Sequence, residues 1–147
     1  MSTTVLGYPR IGERRRLKQA TESYWSGELD TAGLADAGRS LRRQTWLTLR
    51  DAGLDHIPSN TFSFYDHVLD TAVLFGAVPD RFASPYVAGR EREVDLAGYF
   101  ALARGSAQTA PLEMTKWFDT NYHYLVPELG PDTRLAVSWD KPLAEYA

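Results

Sequence analysis

The sequence has no cysteine among its 147 residues, only two methionines and only three histidines. The missing cysteine excludes disulfides and thiolate metal sites within these residues and leaves the redox compartment open. The histidines, His56, His67 and His123, are scattered, with no HxH or HxxxH spacing. A metal centre built from this chain alone is therefore not expected. Long hydrophobic runs are also missing, since no apolar segment nears the roughly 20 residues that span a bilayer. The opening MSTTVLGYPRIG lacks a charged region followed by a long apolar stretch, so a signal peptide is not expected. Charge of one sign is not in excess either. Sixteen basic and nineteen acidic residues give a net −3, which does not point to nucleic acid. P-loop, GxGxxG and nucleophile-elbow patterns are absent. What is left is an ordinary globular composition, 44% hydrophobic and 24% charged, at a length suited to one domain. A cytoplasmic setting without membrane or nucleic-acid partners is the expectation.

The elements that are present alternate. Thr3 to Gly7, TTVLG, is β-branched and apolar, with Pro9 just beyond, and reads as a strand. Leu17, Ala20, Tyr24 and Trp25 then share a helical face that stops at Gly27. Asp30 or Thr31 can cap a second helix, along which Leu34, Ala37, Leu41, Thr45 and Leu49 recur up to Gly53. LDHIPSN, residues 54–60, reads as a brief strand stopped by Pro58. A helix over residues 65–75 follows, ended by Gly76 and Pro79. Residues 80–93 read as a polar loop, and Asp95 caps a helix carrying Leu96, Phe100 and Ala103, ended by Gly105. Met114 to Phe118 is a third strand candidate. Leu135, Val137 and Trp139 alternate as a fourth. The chain then enters DKPLAEYA, the start of a helix. Strands alternating with helices argue for an α/β fold with a parallel sheet, either doubly wound or a βα barrel. Three or four strands leave edges and apolar faces uncovered, so the chain is expected to be a fragment or to self-associate.

Polar clusters follow each strand, where βα folds hold their ligands. Arg10, Ser59, Asn60, Asp119 and Asn121 lie at such ends. Arg14, Arg15, Arg16 and Lys18 form the densest positive charge, at a helix start where the macrodipole disfavours cations. An anion held by helix N–H groups and arginine forks explains that placement, and a solvated charge run is the competing reading. Lys116 sits within an apolar and aromatic strand. It either pairs with Glu113 or Asp119, or points into a pocket towards an anionic ligand. Trp117, Phe118, Tyr122 and Tyr124 suit either a core or a stacking surface. Asp66-His67 and Asp119 are acid–base types whose adjacency says nothing of geometry.

Three stretches carry a resemblance: TTVLGYPRIG from Thr3, FSFYDHVLDTAVLFGAVP from Phe62 and EMTKWFDTNYHYLVPE from Glu113. In order and nearly end to end, they resemble the N-terminal domain of the cobalamin-independent methionine synthase family. The resemblance implies that residues 1–147 are the first part of the N-terminal, folate-binding (βα)8 TIM-type barrel, with its first three to four strands and helical crossovers. It implies a methyltransferase that moves a methyl group from 5-methyltetrahydropteroyltri-L-glutamate to L-homocysteine, giving L-methionine. In the family, zinc sits in a second, C-terminal barrel on histidine, cysteine and glutamate ligands, and that barrel is not in this chain. No catalytic residue and no cofactor site is expected here. The resemblance carries substrate-binding roles onto Arg15, Arg16, Leu17, Lys18 and Lys116, which would hold the glutamyl carboxylates. The family segment usually reads R-E-L-K, so Arg16 stands where an acid is usual. The implied partners are the polyglutamyl folate and the rest of the enzyme, and the chain alone is expected to be inactive. The alternative of a different class is a non-catalytic βα scaffolding module that self-associates through its uncovered edges.

Overall fold

The computed structural model describes residues 1–82 and 94–146. They divide into two compact units, Met1–Phe64 with the residues from Glu145 onward, and Tyr65–Ala144.

In the first unit the two expected strands meet side by side and parallel, but only at one bridge, Thr4 with His56. The His56 N–H donates to the Thr3 carbonyl at 3.1 Å. The next rung of a parallel ladder would need an N–H at residue 58, and Pro58 has none. The expected strands at residues 3–7 and 54–60 are thus corrected to a single bridge. Helix α1 (Arg16–Ser26) ends at Gly27. Helix α2 (Thr31–Asp51) is capped by Asp30, whose carboxylate accepts the Gly33 N–H at 2.8 Å. Leu34, Gly38, Leu41 and Leu49 form its buried stripe, the spacing that 3.6 residues per turn dictates. Leu17 of α1, Leu41 of α2 and Phe62 make the core, with Phe64 packed against it. A Cβ on Gly38 would come within 2.6 Å of the Phe64 ring. The missing side chain is what lets that ring lie on the helix.

In the second unit Asp66 caps α3 (His67–Leu74) and Asp95 caps α4 (Leu96–Arg104). A hairpin of β1 (Met114–Lys116) and β2 (His123–Leu125) follows, antiparallel, with Met114 opposite Leu125 and Lys116 opposite His123. Leu69, Tyr99, Phe100, Leu102, Leu112 and Leu125 are buried there. Helix α5 (Asp140–Tyr146) begins where DKPLAEYA was read as a helix start.

The described residues are therefore a mix of helix and a small sheet, in keeping with an α/β class. Their only sheet is this two-stranded antiparallel hairpin. The third strand candidate, Met114 to Phe118, forms as β1 only up to Lys116, and its partner is the HYL of the same aromatic stretch, where the sequence predicts no strand. The fourth, residues 135–139, is corrected. The Ala136 and Ser138 N–H groups donate instead to the carbonyls of Phe75 and Leu74, at 3.0 and 2.8 Å. The last carbonyls of a helix lack internal partners and accept such bonds readily. Leu135, Val137 and Trp139 consequently face solvent. A short 3-10 turn, Asp80–Phe82, opens the expected polar loop, and residues 83–93 lie outside the described residues.

Candidate ligand-binding site

The basic segment of the first unit is built on a left-handed corner. Gly12 has φ +71°, and Arg14 and Arg15 follow at +51° and +60°. Two non-glycine residues in this region cost roughly 1 kcal/mol each or more. Hydrogen bonds and packing hold the corner in place. The Arg15 N–H donates to the Gly12 carbonyl at 3.3 Å, and the Leu17 N–H to that of Ile11 at 3.0 Å. Leu17 itself is only 3% exposed, and a Cβ on Gly12 would sit 2.4 Å from Leu41. The corner thus rests directly on the core. It leads into α1 with no side-chain cap and no acid in the first turn.

The cations then diverge. Arg16 reaches back to α2, with Gln44 Oε1 at 3.4 Å and Ser40 Oγ at 3.5 Å, which is the weak end of hydrogen bonding. Arg16 thus lies exposed along the neighbouring helix. Lys18 is 3.5 Å from Glu22, one turn on, an exposed pair worth about 0.2–1 kcal/mol. Among the described residues, the Arg14 and Arg15 side chains make no hydrogen bond or ion pair. Leu17 points the other way, into the core, so it serves by anchoring its neighbours. A groove between α1 and α2, lined by Arg16, Gln19, Glu28 and Leu41 among others, runs beside the segment.

A second cleft of the first unit is lined by Tyr8, Arg10, Arg42, Trp46 and Glu145. Burial holds the Arg42 guanidinium below its usual value; Glu145 offsets this and Arg39 adds to it. Arg42 also lies 5.4 Å over the Phe62 ring, a cation–π distance. Arg10 lines this cleft, whereas Ser59 and Asn60 are exposed.

In the second unit Lys116 ends β1. It is exposed and, among the described residues, forms no ion pair with Glu113 or Asp119. The costly burial that its place in an apolar strand suggested is therefore avoided. The six-residue loop from Trp117 to Tyr122 follows. It is closed by the Trp117 N–H donating to the Tyr122 carbonyl at 2.8 Å, and Thr120 Oγ1 donates to the Trp117 carbonyl at 2.6 Å. Trp117 packs edge-on against Phe118 and Tyr124, at 5.3 and 5.5 Å between centroids. Phe118 takes φ +49° and is 81% exposed. Asp119 and Asn121 are exposed, and Asn121 gives its carbonyl to His123 Nδ1 at 3.1 Å.

Sequence reasoning missed the centre of this unit. Asp66 is 3% exposed. Its Oδ2 accepts from the Leu69 and Leu125 N–H groups at 2.9 and 3.2 Å, and its Oδ1 accepts the Tyr122 hydroxyl at 2.5 Å. It is a cap and a clasp, and the acid–base pairing with His67 is not what its carboxylate does. An aspartate just ahead of the helical run HVLD was the available signal.

The basic segment belongs to the first unit and Lys116 to the second. Among the described residues no group of three or more His, Asp or Glu could hold a metal ion, and no helix is long and apolar enough to cross a membrane.

Comparison with known proteins adds a family match. The family described as "Cobalamin-independent synthase, N-terminal domain" matches residues 2–147. A 5-methyltetrahydropteroyltriglutamate–homocysteine methyltransferase of Rhodococcus jostii (strain RHA1) is 60% identical over 144 residues, which is 98% of this chain and 18% of the relative. The Streptomyces griseus protein of the same name is 54% identical over 143 residues, covering 97% of this chain and 18% of its own length. That of Mycobacterium tuberculosis (strain ATCC 25618 / H37Rv) is 56% identical over 144 residues, 98% of this chain and 18% of the relative. The chain thus spans under a fifth of the length of these relatives.

Proposed function

The chain belongs to the cobalamin-independent synthase family through that family's N-terminal domain, and from this premise we propose that it is the polyglutamyl-folate-binding portion of a methionine synthase. In that reading the complete enzyme transfers a methyl group from 5-methyltetrahydropteroyltri-L-glutamate to L-homocysteine. Residues 1–147 are the opening part of its N-terminal βα barrel. The rest of that enzyme would supply the second barrel and, with it, the zinc, whose chemistry there would be activation of the thiol. The setting is cytoplasmic, and the chain by itself is inactive.

The observation that carries the reading is the set of uncompensated cations. In a chain of net charge −3, Arg14, Arg15 and Lys116 stand exposed without an acidic partner among the described residues. Arg14 and Arg15 are held at a strained corner, and strain of this kind gathers at ligand sites. A triglutamyl tail is a string of carboxylates, and arginine forks with a lysine are the groups that bind such a string. On the first unit Arg15, Arg16 and Lys18 would offer their side chains to such carboxylates, with Leu17 as their anchor; on the second unit, taken by itself, Lys116 would offer a contact of the same kind.

Titration of the chain with methyltetrahydropteroyltriglutamate and with the monoglutamate tests this, read by tryptophan fluorescence at two salt concentrations. Preference for the triglutamate, weakened by salt and lost in Lys116→Ala, is the expected result. Equal affinity for both ligands, unaffected by salt, overturns the carboxylate reading. A second reading, self-association, is favoured by the exposure of Met114, Trp117 and Phe118 along the hairpin. Sedimentation that finds only monomer at high concentration removes it.

A further inference from the structure

Helix α3 needs one acceptor at its start, and a serine or asparagine would supply it. Asp66 supplies far more. Beyond the Leu69 N–H, its carboxylate takes the Leu125 N–H and the Tyr122 hydroxyl. Its own N–H donates to the Tyr99 hydroxyl at 3.2 Å, and that hydroxyl donates back to the Asp66 carbonyl at 3.3 Å. Three donors converge on a carboxylate that is 3% exposed, the arrangement a buried carboxylate requires.

Two of these bonds have nothing to do with the helix. They grip β2 on either side of His123 and Tyr124, and His123 is the residue opposite Lys116. Tyr122 acts at the same point twice. Its carbonyl closes the loop onto Trp117, while its ring carries the hydroxyl to Asp66. Lys116 has no ion pair of its own among the described residues, so its placement depends on the backbone of the hairpin.

We propose that Asp66 and Tyr122 are positioning residues for Lys116: the buried carboxylate pins β2 to the start of α3 and so sets where the ammonium group meets an anionic ligand. The ligand part rests on the polyglutamate reading above; the pinning part does not. Loss of the Tyr122 hydroxyl frees the loop while leaving the helix cap and the ring in place. The lysine is then still present but no longer held where it works.

The test uses the 147-residue chain as wild type, Tyr122→Phe, Lys116→Ala and the double variant. One readout is affinity for methyltetrahydropteroyltriglutamate and its dependence on salt. The other is amide hydrogen exchange at Trp117, Leu125 and Val126, with the amides of α2 as control. Tyr122→Phe is expected to weaken binding about 5-fold, the worth of roughly one hydrogen bond, and to flatten the salt dependence as Lys116→Ala does. In the Lys116→Ala background it should add nothing. Exchange at Leu125 should quicken about 10-fold while α2 is unchanged, reporting a local opening. An equal loss of affinity with or without Lys116 overturns the proposal, as does unchanged exchange at the hairpin. If Lys116→Ala itself leaves binding unaltered, or the wild-type chain does not bind, the polyglutamate reading fails. The pinning then stands or falls on exchange alone: faster hairpin exchange upholds it and unchanged exchange removes it.

Discussion

The first unit fixes its basic segment from beneath with an apolar side chain, whereas the second fixes the hairpin of Lys116 with a buried carboxylate. Leu17 holds by burial, which is strong but has no direction. Asp66 holds by hydrogen bonds, which are individually weaker but set register and angle. The cations differ accordingly. Arg14 and Arg15 gain their position from a strained backbone pressed onto the core, and Lys116 gains its position from a strand pinned at two points. The lesson is that packing suffices for a cluster of long, adaptable cations, while a single lysine needs a directional frame.

The sharpest way to break this contrast is at the apolar anchor. Leu17→Ala should cost about 2–5 kcal/mol by urea unfolding, as loss of a buried leucine does. A change near zero would show that the corner does not rest on Leu17. Asp66→Ala comes next, with an expected loss of about 1–3 kcal/mol for a cap and buried acceptor removed. Asp66→Asn should recover part of this, since its amide oxygen can still cap α3. If the asparagine restores full stability, the two strand bonds contribute nothing. Arg15→Gly should act with the opposite sign, stabilising the chain by up to about 1 kcal/mol as left-handed strain is relieved. Triglutamate binding should weaken at the same time. A variant that is both less stable and equally tight in binding would contradict the strained-site account.

The smallest expected effect is on pH. The Arg81 guanidinium hydrogen-bonds Glu128 and holds its carboxyl below the ordinary range. A carboxyl depressed in the folded state contributes stability above its unfolded pKa and loses it as pH falls through the folded value. The contribution should therefore be complete above about pH 5 and should fade below about pH 4. Glu128→Gln should flatten the acid limb of stability there and nowhere else. Asp55, held down by the Thr3 N–H and hydroxyl, should behave likewise in the other unit.

Much of the helical framework was legible because its signals are local. Asp30 and Asp95 cap where the sequence places them, and Gly27, Gly53 and Gly105 end their helices. The strands were less legible. Alternation at Leu135, Val137 and Trp139 describes a surface, and it cannot say which carbonyls the intervening N–H groups will find. Here they found the end of α3. Pro58 was read as a stop, yet its consequence for the pairing of Thr4 with His56 depends on a contact 52 residues away. At the candidate site, the unusual placement of the cations was visible in sequence. Their left-handed corner was not, since arginine has no bias toward positive φ. The clasp of Asp66 on Tyr122 was hidden for the same reason as the bridge: it joins residues 56 positions apart.

The corner at Arg14 and Arg15 also has a consequence for the order of folding. An unfolded chain visits two successive left-handed arginines rarely, so the turn has little tendency to form ahead of its support. Its hydrogen bond partner Ile11 and its anchor Leu17 become useful only once α1 has docked on α2. The segment should therefore be assembled after the folding barrier, and relief of its strain in Arg15→Gly should appear almost wholly as slower unfolding, with the refolding rate unchanged. The most cationic point of the molecule would then be the last part of the first unit to take shape.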